Sequence, residues 1–141
     1  MFKEARLKAP ILVFLRFLLA LIMAASGIAN ASEFTERVAY ADSLELRPEV
    51  LRYYRETIYS AIGADMGSAM RDCTSRPNAS TETFVILLDI ADHGAFENSA
   101  VEPKVNTATC FATAISRLRF SSPPASLPRP LTLGIKMTVK P

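Results

Sequence analysis

Three cations, Lys3, Arg6 and Lys8, precede an apolar run over residues 11–25, and the small-residue tripeptide Ala29-Asn30-Ala31 follows it. A basic start, a short apolar centre and a site that signal peptidase accepts make up a secretory leader, and cleavage is expected after Ala31. This feature constrains the chain most: it takes residues 1–31 out of the fold and sends the rest to a compartment where thiols can oxidise. Arg16 interrupts the apolar run, and a charge at the centre of a membrane helix costs about 2.5 to 3.5 kcal/mol, which argues against a permanent span. The alternative is an uncleaved inner-membrane anchor in which Arg16 snorkels to the interface. In either case the remainder is exported.

Of the 141 residues, 110 then remain, the ordinary size of one domain with one modest core. The leader takes Lys3, Arg6, Lys8, Arg16 and Glu4 with it, so 16 Lys+Arg and 14 Asp+Glu become 12 and 13. A nearly neutral chain with interspersed signs has no electrostatic footprint for nucleic acid. Its two cysteines, Cys73 and Cys110, are expected to pair in an oxidising compartment, the alternative being two buried free thiols. Two cysteines and the single His93 are too few for a metal site, and neither a metal nor a cofactor is expected.

Residues 32–47 read as a short amphipathic helix or linker, with Phe34, Val38, Ala41 and Leu44 at helical spacing and Glu33 and Glu36 in the first turn. Pro48 suits a first helical position. From there Leu51, Tyr54, Ile58 and Ile62 continue through Met66, Met70 and Cys73 as one buried stripe. Gly63 and Gly67 each weaken that helix by about 1 kcal/mol, so a break or kink is expected near residues 63–67. A polar loop with Pro77 and Asn78 follows; Asn78-Ala-Ser80 fits a glycosylation sequon, which has meaning only if the host glycosylates secreted proteins.

Residues 83–91 form the strongest strand, with Phe84, Ile86, Leu88 and Ile90 on one face and Val85 and Leu87 on the other, which predicts a central position. Asp92-His93-Gly94 is a tight-turn signature, after which residues 95–101 return as the second arm of a hairpin and Pro103 ends it at an edge. Asn106 or Thr107 can cap a helix whose Phe111, Ile115 and Leu118 face inward beside Cys110, with Arg117 and Arg119 closing its last turn. Residues 121–130, with four prolines, form a stiff connection in preference to a ligand for a proline-reading module. Leu131, Leu133, Ile135, Met137 and Val139 alternate with Thr132, Gly134, Lys136, Thr138 and Lys140, the period of a strand buried on one side. A helical crossover places this third strand beside the first. The fold expected is α+β, a three-stranded antiparallel sheet of order 2-1-3 with helices packed on one face.

This order of elements resembles the C-terminal domains of TonB and TolA and their AgmX-like relatives. Tyr54-x-x-x-Ile58-x-x-x-Ile62 is similar to the family's leading helix, Asp92-His93-Gly94 to its hairpin turn, Phe120-Ser-Ser-Pro-Pro124 to its post-helix proline element, and Thr138-Val-Lys-Pro141 to its terminal strand. The cysteine pair is similar to that of TolA-type members. The matching residues span Tyr53 to Pro141, within an expected domain of residues 48–141, and the resemblance implies a periplasmic protein-binding module without catalytic activity. Its C-terminal edge strand, through Leu131, Thr132, Gly134, Lys136, Thr138 and Lys140, takes an envelope protein or peptide by strand addition.

The chain departs from the energy transducers of the family. Residues 32–48, at about 3.3 Å each, reach only about 55 Å, and the apolar segment lacks the polar motif that engages a proton-driven motor. Other readings are an edge-paired homodimer of structural type and a membrane-anchored transport component. Catalysis through His93 with Ser99 or Asp92 is the least supported, because no paired acid and base is present. Asp89 is expected to pair with Lys136 or Lys140 across the sheet.

Overall fold

A computed structural model describes residues 31–139. The expected leader, its expected cleavage site, Lys140 and Pro141 therefore fall outside the described residues or at their border. The chain divides into two compact units, Met1–Thr35 and Glu36–Pro141. Of the first, residues 31–35 are helical, and the Thr35 hydroxyl donates to the Ala31 carbonyl at 2.9 Å. The second holds the whole sheet. Among the described residues no helix is long and apolar enough to cross a membrane.

Helix α1 covers residues 31–45. Next come α2 (Pro48–Tyr53), a π-helical stretch (Tyr54–Tyr59), α3 (Ser60–Thr74), β1 (Phe84–Ile90), β2 (Phe96–Glu102), α4 (Asn106–Ile115) and β3 (Leu131–Met137). The fold is α+β, with a three-stranded antiparallel sheet ordered β2-β1-β3, as the apolar patterns of the strands require. Phe84, Ile86, Leu88 and Ile90 stand opposite Met137, Ile135, Leu133 and Leu131, so both strands put their apolar residues on one face. On that face they join Tyr54, Ile58 and Ile62 and, from α4, Phe111 and Ile115 in a single core. Phe84 and Phe111 meet edge to face at 6.1 Å between ring centroids.

The other face is not bare. Leu87 is fully buried there, and a Cβ placed on Gly134 would lie 3.5 Å from the Ala41 Cβ and 3.8 Å from Leu87 Cδ2. Thus residues 36–45 of α1, read from the sequence as part of a short helix or linker, lie over the face opposite the main helical layer.

Residues 48–74 run as one helical course. The break expected at Gly63 and Gly67 does not occur: α3 runs unbroken through both to Thr74. The irregularity lies earlier, in the π stretch. Its wider turn lets two successive tyrosines, Tyr53 and Tyr54, both reach the core, with Ile58 and Ile62 following. The Tyr53 hydroxyl donates to the Ser121 carbonyl and the Tyr54 hydroxyl to the Thr132 carbonyl, each at 2.8 Å.

Helix α4 begins at Asn106 with Val105 as its N-cap and no side-chain cap. Thr107 acts elsewhere. Its hydroxyl donates to the Ser80 carbonyl at 3.0 Å and accepts the Ser80 N–H at 2.7 Å, which ties the polar loop to the helix. The helix ends at Ile115. Arg119, expected in its last turn, lies beyond it in a β-bridge with Ala95.

Cys73 and Cys110 form the expected disulfide, 5.8 Å between their Cα atoms, and it joins the last turn of α3 to α4. Three tyrosines give the fold a pH limit. Burial raises Tyr53 and, much further, Tyr54, where Tyr59 and Glu45 add to it. Tyr59 is pushed up to about 12, by burial first and then by the Glu45 carboxylate, which accepts its hydrogen bond. A folded-state value above the ordinary tyrosine value of about 10 means that folding favours the neutral phenol. The stabilisation is complete below pH about 10 and is lost as pH rises through the folded values. Denaturant midpoints should hold steady up to that pH and fall above it in step with tyrosinate absorbance; a midpoint flat to pH 12 would rule this out.

Candidate functional site

Strand β3 lies at one side of the sheet, with β1 as its one ladder neighbour over seven consecutive pairs free of any irregularity. In an antiparallel strand the main-chain groups of successive residues point alternately to the two sides. The Ala91 N–H donates to the Ala95 carbonyl, so odd-numbered residues of β1 turn toward β2 and even-numbered ones toward β3, where their register partners are odd-numbered. The Thr132 carbonyl accepts from Tyr54 and the Pro130 carbonyl from the Tyr40 hydroxyl, each at 2.8 Å. Even-numbered residues therefore turn their N–H and C=O outward. At residues 130 and 132 these tyrosines occupy the carbonyls; at Gly134 and Lys136 no backbone or side-chain partner among the described residues takes them.

The strand expected to be open from residue 131 onward is thus open only in its second half. Leu131 and Thr132 are buried, Gly134 is half-buried, and Lys136 and Thr138 are exposed. The Thr138 and Thr83 hydroxyls lie 3.3 Å apart, and Lys140 falls outside the described residues. Leu133 and Ile135 are buried in the core as the alternation requires. Tyr54 could be placed on the buried stripe from its spacing, but nothing in the sequence indicates which carbonyl its hydroxyl reaches.

The opposite side of the sheet is a poor template. Between Ala100 and Glu97 strand β2 carries one residue more than β1. This bulge contains Asn98, held at φ 46°, a left-handed conformation that asparagine tolerates better than most residues. Glu97 and Asn98 are exposed. Bulges and charged side chains are the devices that keep an edge from pairing, and β3 lacks both in its open half apart from Lys136.

A polar network under α1 fixes the relation of the three strands. Asp89 accepts from the Thr132 hydroxyl at 2.7 Å and from Arg37 Nη2 at 3.2 Å, and the same Arg37 nitrogen reaches the Asn98 carbonyl at 3.1 Å. Asp89 therefore pairs with Arg37 and not with Lys136, and the alternative partner Lys140 lies outside the described residues. In the register of β1 and β3, Asp89 stands opposite Thr132 and Lys136 opposite Val85, while α1 delivers a guanidinium from above. Pairing Asp89 with Arg37 required knowing that residues 36–45 fold over this face.

The Asp92-His93-Gly94 turn serves the fold. Asp92 pairs with Arg129 Nε at 2.7 Å, so the carboxylate considered as a partner for His93 is engaged elsewhere, and His93 is exposed. Gly94 has φ 76° and donates to the Ala91 carbonyl at 2.9 Å, while its own carbonyl accepts from Phe120 at 2.9 Å. Arg129 also donates to the carbonyls of Leu127 and Pro128, each at 3.2 Å, so the proline-rich connection is held against the hairpin. Among the described residues no group of three or more His, Cys, Asp or Glu could hold a metal ion.

Two of the clefts among the described residues adjoin the disulfide and the β3 edge. One, of about 630 Å³, lies over the disulfide between Arg76 and Arg117. The other, of about 380 Å³, lies between α3 and the end of β3, where Met66 and Met70 face Met137 and Val139. The fold and these features define a small disulfide-linked α+β domain with one open, regular sheet edge beside an apolar groove. No protein-family model, curated protein or solved structure matches the chain.

Proposed function

We propose that the protein is a periplasmic binding module that takes an extended segment of a cell-envelope partner as a fourth strand against β3. The observation that carries this reading is the contrast between the two sheet edges: β2 is bulged and flanked by carboxylates, whereas β3 keeps a regular seven-pair register and outward main-chain groups at Gly134 and Lys136. Strand addition draws its affinity from main-chain hydrogen bonds and its selectivity from alternate side chains. The Tyr54 and Tyr40 hydroxyls cap the start of the edge, so an incoming strand would begin at Gly134 and extend past Thr138. The resemblance to TonB and TolA C-terminal domains supports the same edge. The leader and the disulfide support a periplasmic setting, since structural disulfides persist in oxidising compartments.

Titration of the labelled protein with overlapping peptides tiled across periplasm-exposed segments of outer-membrane proteins should shift the amide signals of Gly134, Lys136 and Thr138. The Lys136→Pro variant removes an outward N–H that takes no part in the β1 ladder, so it should fold and yet bind at least about tenfold more weakly. Peptides that bind while leaving these amides unmoved, or a Lys136→Pro protein of unchanged affinity, would refute the proposal.

A further inference from the structure

Resting on the strand-addition reading, we infer that the incoming strand carries a large apolar side chain seated in the methionine-lined groove between α3 and β3, with a carboxylate next to it that pairs with Arg71. The groove is formed by Met66, Gly67, Met70 and Arg71 of α3 and, across from them, Met137 and Val139. The four apolar residues pack against the core only in part, so their outer surfaces are left for an occupant. The groove adjoins the half of β3 whose main chain is open. A strand paired there sends alternate side chains to the two faces of the sheet, and those on the core face arrive under α3, where the groove is.

The chemistry of the lining selects the occupant. Methionine is unbranched and polarizable and adapts to apolar groups of different shape. Gly67 leaves the helical wall open, and a Cβ there would lie 3.5 Å from Arg71 Nη1, so the guanidinium lies across this gap along the groove. The Arg71 and Lys136 side chains are exposed and engage no carboxylate among the described residues. A second copy of this chain would bring a β3 whose one charge is Lys136, with Arg71 of its α3 beside it, so charge favours an acidic foreign strand over self-pairing.

The test uses the disulfide-bonded protein and three synthetic threonine-rich peptides. One has a central Leu with Glu near it, one has Ala for that Leu, and one has Lys for that Glu. The expected result is that the Leu/Glu peptide shifts the Gly134 and Lys136 amides together with the methyl signals of Met66, Met70 and Met137, and binds about tenfold more tightly than either of the others. Gly67→Leu fills the groove while favouring the helix, so it should abolish that preference without lowering the melting temperature. Arg71→Glu should transfer the preference to the Lys peptide. Equal binding of all three peptides, with edge amides moving and methionine methyls still, would overturn the groove assignment and leave the strand-edge reading in place. Edge amides untouched by any peptide would overturn both. A dimer in sedimentation that protects the same methyls and resists the Leu/Glu peptide would show that a second copy fills the groove, against the inference.

Discussion

Opening the Cys73–Cys110 disulfide should lower the stability of the folded protein by about 4 kcal/mol in the chain-entropy model, given the 37-residue separation. The loop it closes contains the whole β1–β2 hairpin, so the reduced unfolded chain gains the freedom of a segment that holds two of the three strands. The bond also holds the last turn of α3 to α4 across one side of the core, where Cys73 is buried. For a domain of this size the loss corresponds to a fall in Tm of roughly 15 °C or more. The measurement is denaturant unfolding of the native protein and of the Cys73→Ala, Cys110→Ala double variant; alanine avoids burying an unpaired hydroxyl at Cys73. A difference below about 1 kcal/mol would mean that packing holds α3 to α4 without the bond.

Replacing Gly94 by alanine should cost about 3 kcal/mol or more. Two terms add. At φ 76° any residue with a Cβ is strained by roughly 1 to 2 kcal/mol. In addition the new Cβ would overlap the Phe120 carbonyl oxygen, a backbone atom that cannot rotate away. Phe120 can withdraw only by giving up its hydrogen bond to the Gly94 carbonyl and the bridge of Arg119 with Ala95. It would also strain its edge-to-face contact with Phe96, 5.0 Å between centroids. His93→Ala in the same turn exposes no such contact and should stay within about 0.5 kcal/mol of the parent. Urea unfolding of both variants decides the matter, and a Gly94→Ala protein as stable as His93→Ala would refute the docking of the hairpin against residues 119–121.

The parts of this protein that could be read from residue order are those governed by local period and chain chemistry. Alternation in residues 131–139 and the apolar run of residues 83–91 defined β3 and β1, and the crossover rule placed them side by side. The leader expected over residues 1–31 implies an oxidising compartment, and on that expectation Cys73 pairs with Cys110. What could not be read is the set of contacts made by residues far apart in the chain. The glycines of α3 suggested a break, yet the irregularity came at Tyr54–Tyr59, where burying two adjacent tyrosines outweighs regular hydrogen bonding. The extent of the candidate edge was misjudged for the same reason: the Tyr54 hydroxyl comes 78 positions earlier than the Thr132 carbonyl it occupies.

By itself the sequence determined the α+β class, the strand order, the disulfide and the turn, because hydrophobic period, turn residues and cysteine chemistry act through neighbours in the chain. Only the tertiary structure decided which half of β3 remains open, which cation meets Asp89 and that a methionine groove lies beside the edge. Those depend on where α1 and the π-distorted helix come to rest. That position follows from three-dimensional packing, in which a single hydroxyl or guanidinium selects its partner by distance and not by order.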